Sequence, residues 1–186
     1  EGGDEGNETA AMRRGNDLEP VARRAYEQLR RVTVEESGLH PHPLYPKELA
    51  ASPDGIVVQP GGKLSDLLVE FKAPRLNSKG PGLTDAYLIQ IQLTMACTQT
   101  RLCDFAVLRE SRDNYGTPSL RQLAITRVDR DDSLLSVVEA QLLAFHAEAR
   151  KDDEPFPPNP IDTAQLRVAI REAREEHVSE ERVYDL

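Results

Sequence analysis

The sequence has no tryptophan, two methionines and two cysteines, and aromatic residues fill only 5% of its 186 positions. Two cysteines, Cys97 and Cys103, are too few for a disulfide scaffold, and no Cys/His cluster has the spacing of a structural zinc site. A reducing intracellular compartment is the expectation that follows. No apolar run approaches the roughly 18–20 residues a membrane helix requires. The acidic, polar opening from Glu1 to Glu8 does not read as a secretory signal. It reads as a mobile leader, and the absence of an initiator methionine reads as a processed or cut product.

An excess of positive charge is also missing, since the formal net charge is −9. Its distribution reopens the question of a nucleic-acid partner. Residues 1–8 hold four acids and no base, residues 148–186 hold eleven acids against six bases, and the body between them balances 17 against 17. Within that neutral body, Met12 to Arg31 carries Arg13, Arg14, Arg23, Arg24, Arg30 and Arg31 against Asp17, Glu19 and Glu27. A local excess of this kind can meet phosphate, and Arg13 and Arg14 are the better candidates for it.

With 30% charged and 39% hydrophobic residues, the chain has the balance of one globular domain. Leu18, Val21, Ala22, Ala25, Leu29 and Val32 recur at three- and four-residue steps. They predict a helix between Thr9 and Val34, its main part starting near Asp17 after a break at Gly15-Asn16, with Pro20 in its first turn and Gly38 as the stop. Leu39 to Leu49, interrupted by Pro41, Pro43 and Pro46, reads as an irregular or edge-strand passage. Ile56–Gln59 and Leu67–Phe71 flank Pro60-Gly61-Gly62 and predict a hairpin. After a loop from Pro74 to Gly82, Thr84 caps a helix to about Thr100. Strands at Asp104–Arg109 and Leu120–Val128, a helix capped by Ser133 and ending near Arg150, and a proline-rich linker at residues 151–160 follow. Residues 161–186 read as a final helix and a charged tail. The fold class indicated is α/β, a central mixed sheet flanked by helices, with the domain at residues 9–150.

The chemistry concentrates in Ser52-Pro53-Asp54-Gly55 and Glu70-Phe71-Lys72. Asp54 opens one hairpin strand and Glu70 closes the next, so their carboxylates can converge where strands lie about 5 Å apart. Alternation places Glu70 and Lys72 on one face and turns Phe71 into the core. Two converging carboxylates and a nearby carbonyl oxygen make a hard-oxygen site for Mg²⁺ or Mn²⁺. A lysine there can steer or deprotonate an attacking water and answer the charge growing on a phosphate. Blander readings exist for each residue: Pro-Asp-Gly is a common turn, Glu70 and Lys72 fit a solvated strand end, and Glu19 fits a helix-start acid. His40 and His42, among prolines and without a third ligand, do not read as a metal site. Cys97 and Cys103 read as buried core.

Four segments shift the balance: Gly15-Asn16-Asp17-Leu18-Glu19-Pro20 with Ala22-Arg23, Ala51-Ser52-Pro53-Asp54-Gly55, Val69-Glu70-Phe71-Lys72, and Tyr87-Leu88-Ile89-Gln90-Ile91-Gln92. In this order they resemble the lambda-exonuclease-like group of the PD-(D/E)XK nuclease superfamily, the YqaJ-type viral recombinases. The resemblance implies a restriction-endonuclease-like core and a Mg²⁺-dependent deoxyribonuclease with one or two ions (Mn²⁺ as substitute). It implies an exonuclease resecting linear double-stranded DNA for recombination or repair. Asp54, Glu70 and the Phe71 carbonyl become metal ligands, and Glu19 reaches the metal directly or through water. Lys72 orients or activates the nucleophilic water, and Gln90 rather than Gln92 positions the site. Ser52 and Tyr87 become DNA contacts. A homotrimer enclosing DNA and a single-strand annealing protein are the partners the family implies. The family places an arginine and small residues near the 5′ phosphate ahead of the first helix. Here Glu1 to Met12 stand in that place, so an incomplete chain or a different end-binding pocket is expected. A nuclease-fold scaffold without activity and a structure-specific endonuclease are the alternative readings.

Overall fold

A computed structural model describes residues 10–74, 82–112, 115, 117–149 and 163–186. The residues read as a leader (1–8) and as a linker (151–160), and residues 113, 114 and 116, lie outside the described residues. In chain order the elements are α1 (Ala10–Arg30), β1 (Thr33–Glu35), β2 (His40–Pro41), β3 (Ala50–Ala51), β4 (Gly55–Val58), β5 (Leu64–Lys72) and α2 (Asp85–Thr98). They continue with β6 (Leu102–Arg112), β7 (Pro118–Asp129), α3 (Asp132–Ala149), α4 (Thr163–His177) and β8 (Arg182–Asp185). No described helix is long and apolar enough to cross a membrane.

Six strands form one sheet in the order β1-β4-β5-β6-β7-β8, and only β5 and β6 pair in parallel. That one parallel pair requires a crossover, which α2 supplies. The expected mixed sheet flanked by helices is therefore present. On one face α1 buries Ala22 and Tyr26 against Val69, Phe71, Ala106, Leu108 and Leu123. On the other, Leu88, Ile91 and Met95 of α2 and Leu134 of α3 pack on Leu68 and Phe105. Thus β5 alternates, sending Leu68 and Glu70 to one layer and Val69 and Phe71 to the other.

Several boundaries differ from the sequence reading. Helix α1 runs unbroken from Ala10 through Gly15-Asn16 and Pro20. A proline forfeits one i→i−4 hydrogen bond, and the turns on either side carry the helix across it. It stops at Arg31, not Gly38: Arg31 takes a left-handed conformation (φ 55) and Val32 N–H closes back on the Glu27 carbonyl at 3.2 Å. This six-to-one closure is a Schellman end made without glycine.

The β4–β5 turn is as expected, with Gly61 and Gly62 at φ 99 and 81, where side chains are strained. Thr84 caps α2, accepting from Tyr87 N–H at 3.3 Å. The cap of α3 is Asp131 rather than Ser133: its Oδ1 accepts from Ser133 and Leu134 N–H at 2.8 and 3.1 Å. The proline passage holds a two-stranded sheet of β2 and β3. The charged tail is also ordered at its end, because β8 pairs with β7 from Gln122↔Asp185 to Ile125↔Arg182.

Candidate active site

Antiparallel pairing between β4 and β5 ends at Gly55↔Val69. Two residues beyond, the proline at position 53 cannot donate to a ladder, and the side chain of Asp54 takes over. Its Oδ2 accepts from Phe71 N–H at 2.7 Å. Asp54 is thereby held against the residue that follows Glu70. Gly55 makes this close approach feasible, since a Cβ there would overlap Val34 Cγ1 and stand 3.3 Å from the Glu35 carbonyl. Gly55→Ala is expected to cost about 2 kcal/mol through overpacking and to pull Asp54 out of place. Urea unfolding should register the loss of stability.

Glu70 is 1% exposed. Its Oε1 accepts from Lys72 Nζ at 2.5 Å and from Gln90 Nε2 at 2.7 Å. The strand alternation that puts Glu70 and Lys72 on the α2 face thus meets Gln90 on the outer stripe of α2. Lys72 Nζ lies 5.4 Å from the centre of the Tyr87 ring, and Tyr87 leans on Phe105 with ring centres 5.4 Å apart. A small recess of about 80 Å³ opens beside Lys72, Tyr87 and Phe105. Gln92, two positions beyond Gln90, faces the interior instead: it donates to the Asp129 carbonyl at 2.8 Å and accepts from Asp131 N–H at 2.9 Å.

Glu19 stands at the margin of this group. Arg23, one helical turn further along α1, joins the two: Nη2 donates to Glu19 Oε1 at 3.1 Å and to the Asp54 carbonyl at 3.0 Å, while Nη1 reaches Glu36 Oε1 at 2.7 Å. The sequence reading placed Arg23 in the first of the four resembling segments and gave it no role of its own. Its place beside Glu19 on the helix was readable, but its partner Asp54 lies 31 residues away. Ser52 is exposed, and its Oγ donates to the Ser37 carbonyl at 3.4 Å. Arg13 and Arg14 lie on α1, but their side chains are outside the described residues. His42, read as metal-free, is buried; its Nδ1 accepts from Leu44 and Tyr45 N–H at 3.3 and 3.2 Å, which leaves Nε2–H to donate to Glu139 Oε1 at 3.1 Å. Cys97 and Cys103 are free and buried.

The Asp54 carboxyl and the Lys72 ammonium are both shifted upward, which disfavours the first charge and favours the second. Burial, and then the neighbouring Glu70 carboxylate, push the Asp54 carboxyl above its ordinary value; Lys72, the Phe71 N–H and Arg23 only partly compensate. Burial disfavours the Lys72 ammonium, yet the charge and hydrogen bond of Glu70, with Asp54 behind it, outweigh that and hold the group above its ordinary value. Among the described residues no three His, Cys, Asp or Glu side chains gather as a ready metal cluster. The donor set is instead the two carboxylates of Asp54 and Glu70, which lie close enough for each to act on the other. Their oxygens are hard donors, and the mutual repulsion felt by Asp54 is what a divalent cation relieves, so the residues fit such an ion.

Residues 2–101 match the model of the YqaJ-like viral recombinase domain. That stretch is more than half of the chain and includes Glu19, Asp54, Glu70, Lys72 and Gln90. The chain belongs to this family. The fold of this YqaJ-like domain is similar to that of the alkaline exonuclease LHK-Exo from Laribacter hongkongensis, with TM-score 0.58 and 30% identity over 90% of this chain and 76% of that one. The same exonuclease in complex with dAMP matches with TM-score 0.55 and 30% identity, covering 90% and 74% of the two chains. A comparison with curated protein sequences yields no significant match.

Proposed function

We propose that this YqaJ-like domain is a divalent-metal-dependent deoxyribonuclease, an exonuclease that resects linear duplex DNA in recombination or repair. The observation that carries the proposal is one buried carboxylate, Glu70, fixed between the Lys72 ammonium and the Gln90 amide, with Asp54 beside it. Its occurrence in a chain 30% identical to an alkaline exonuclease supports the choice of substrate.

Asp54, Glu70 and the Phe71 carbonyl would hold Mg²⁺ or Mn²⁺, with Glu19 reaching it through water. A bound cation of this kind supplies Lewis-acid charge to the scissile phosphate. The chain's own groups do the rest. In the metal-free chain the charge of Glu70 holds the Lys72 ammonium above its ordinary value, and Lys72 would serve as a positive charge toward the phosphate and as an orienting donor toward water. Gln90 keeps Glu70 in one rotamer. Attack of water on phosphorus would form the new P–O bond and break the bond to the 3′ oxygen; the proton released by the attacking water ends on that oxygen, which leaves as a hydroxyl, and the phosphate stays on the 5′ side. Tyr87 and Ser52 border the path of the strand.

A 5′-labelled linear duplex and a closed circular plasmid, each incubated with Mg²⁺ and with EDTA, test the reading. Loss of the linear duplex with Mg²⁺ alone, the circle surviving, is expected. Cleavage of the circle would make the enzyme an endonuclease, and an intact linear duplex would remove the nuclease reading.

A further inference from the structure

We propose that a cavity between the end of α1 and strands β7 and β8 is a phosphate-binding site separate from the carboxylate pair. The cavity, about 290 Å³, is lined by Arg30, Arg127, Arg182, Ser179 and Glu180 over the carboxylate of Asp104. Asp104 is 1% exposed and serves as an anchor. Its Oδ2 accepts from Tyr26 Oη at 2.7 Å and lies 3.3 Å from Arg30 Nη2, while Oδ1 accepts from Arg127 Nε at 2.5 Å. One buried carboxylate therefore sets two guanidiniums at the edge of the cavity, each with nitrogens to spare. Neither terminal nitrogen of Arg127 has a hydrogen bond among the described residues, and the same holds for Arg30 Nη1.

Arg182 completes the group. Its backbone pairs with Ile125, two residues before Arg127 on β7, so the two arginines share one end of the β7–β8 ladder. Among the described residues Arg182 has no ion pair. Ser179 is fixed beside them, its Oγ accepting from Arg127 N–H at 2.9 Å. Three arginines against Asp104 and Glu180 leave the cavity positive in a chain of net charge −9. Planar guanidiniums with free parallel donors match the oxygens of a phosphate group.

Glu19 and Arg30 are eleven positions apart on one stripe of α1, about 16 Å along the axis. The cavity is therefore not the cradle of Asp54 and Glu70. The phosphate has two sources, the backbone of the DNA or a free nucleoside monophosphate; the first rests on the proposed function and the second does not.

The test uses the full chain in EDTA with Arg182→Gln and Arg127→Gln, their folding checked by thermal melts. Anisotropy of a labelled duplex across a salt series reports backbone contact, and calorimetric titration with inorganic phosphate and dAMP reports the free ligand. With DNA as the source, the slope of log K against log salt falls by about 0.9 in each variant. With a nucleotide as the source, dAMP and phosphate binding is lost and the slope is unchanged. Wild-type-like values in Arg182→Gln for both measurements overturn the site, even if Arg127→Gln fails to fold, because Arg182 is exposed and has no partner to lose. Phosphate binding without any cleavage of linear DNA would keep this site and remove the nuclease reading.

Discussion

Asp54→Asn is expected to lower DNA cleavage steeply and to make the metal-free protein more stable. The two effects have one cause. Asparagine keeps the acceptor that Phe71 N–H requires at 2.7 Å, so the β4–β5 junction is preserved. It removes the charge that burial and Glu70 together disfavour. A carboxyl whose folded value lies above its unfolded value, near 3.9 for aspartate, favours the folded state while protonated. That contribution is full below the unfolded value and is lost as pH rises through the folded one. In EDTA the wild type should therefore lose stability as the pH climbs out of the ordinary aspartate range, and Asp54→Asn should lack that component of the slope. Near neutral pH the variant should gain about 1 kcal/mol, or roughly 2–4 °C in melting temperature for a chain of this size. Cleavage should fall about 10²–10³-fold, the range that loss of one preorganised group at a reacting centre costs. Urea unfolding in EDTA over a pH series, beside a nuclease assay with Mg²⁺, measures both. A variant that is less stable and still active would contradict the assignment on each count.

The line between what was readable in the sequence and what was not follows the length scale of the interaction. The hairpin carrying Asp54, Glu70 and Lys72 was readable because period-2 alternation is local: Leu68 and Glu70 go to one layer, Val69 and Phe71 to the other. Gln90 came from the family resemblance, and helical spacing served only to set it apart from Gln92. Short elements had no such pattern. Thr33–Glu35 and Arg182–Asp185 exist as strands because β4 and β7 offer unpaired edges, and nothing within three or four residues announces an edge elsewhere. The end of α1 eluded the reading because Arg31 does what glycine usually does. Arg23 and His42 were missed for a further reason. Their roles depend on Asp54 and Glu139, which are 31 and 97 residues away and reach them only when the sheet is assembled.

Asp104 extends that argument to stability, and its replacement by alanine should be the most damaging single change on the α1 face. No local pattern marks Asp104 beyond its place at the start of a predicted strand, yet it is 1% exposed and bound by three donors. Removing one partner of a buried ionic group costs about 3–5 kcal/mol, chiefly because the remaining groups are left uncompensated. Arg30 and Arg127 are 33% and 30% exposed at their side chains, so water can take up part of their charge and the lower end, about 3 kcal/mol, is expected. Tyr26 has no such relief. It is fully buried, and burial followed by the Asp104 charge pushes its phenol far above the ordinary range, so it remains a neutral donor with nothing to receive it. Asp104→Asn keeps one acceptor for Tyr26 and should lose less than Asp104→Ala, while Tyr26→Phe should cost about 1 kcal/mol, one hydrogen bond's worth. Urea denaturation of the three variants gives the ordering. A Tyr26→Phe, Asp104→Ala pair no worse than Asp104→Ala alone would show that the lost acceptor, rather than a reshaped core, sets the cost.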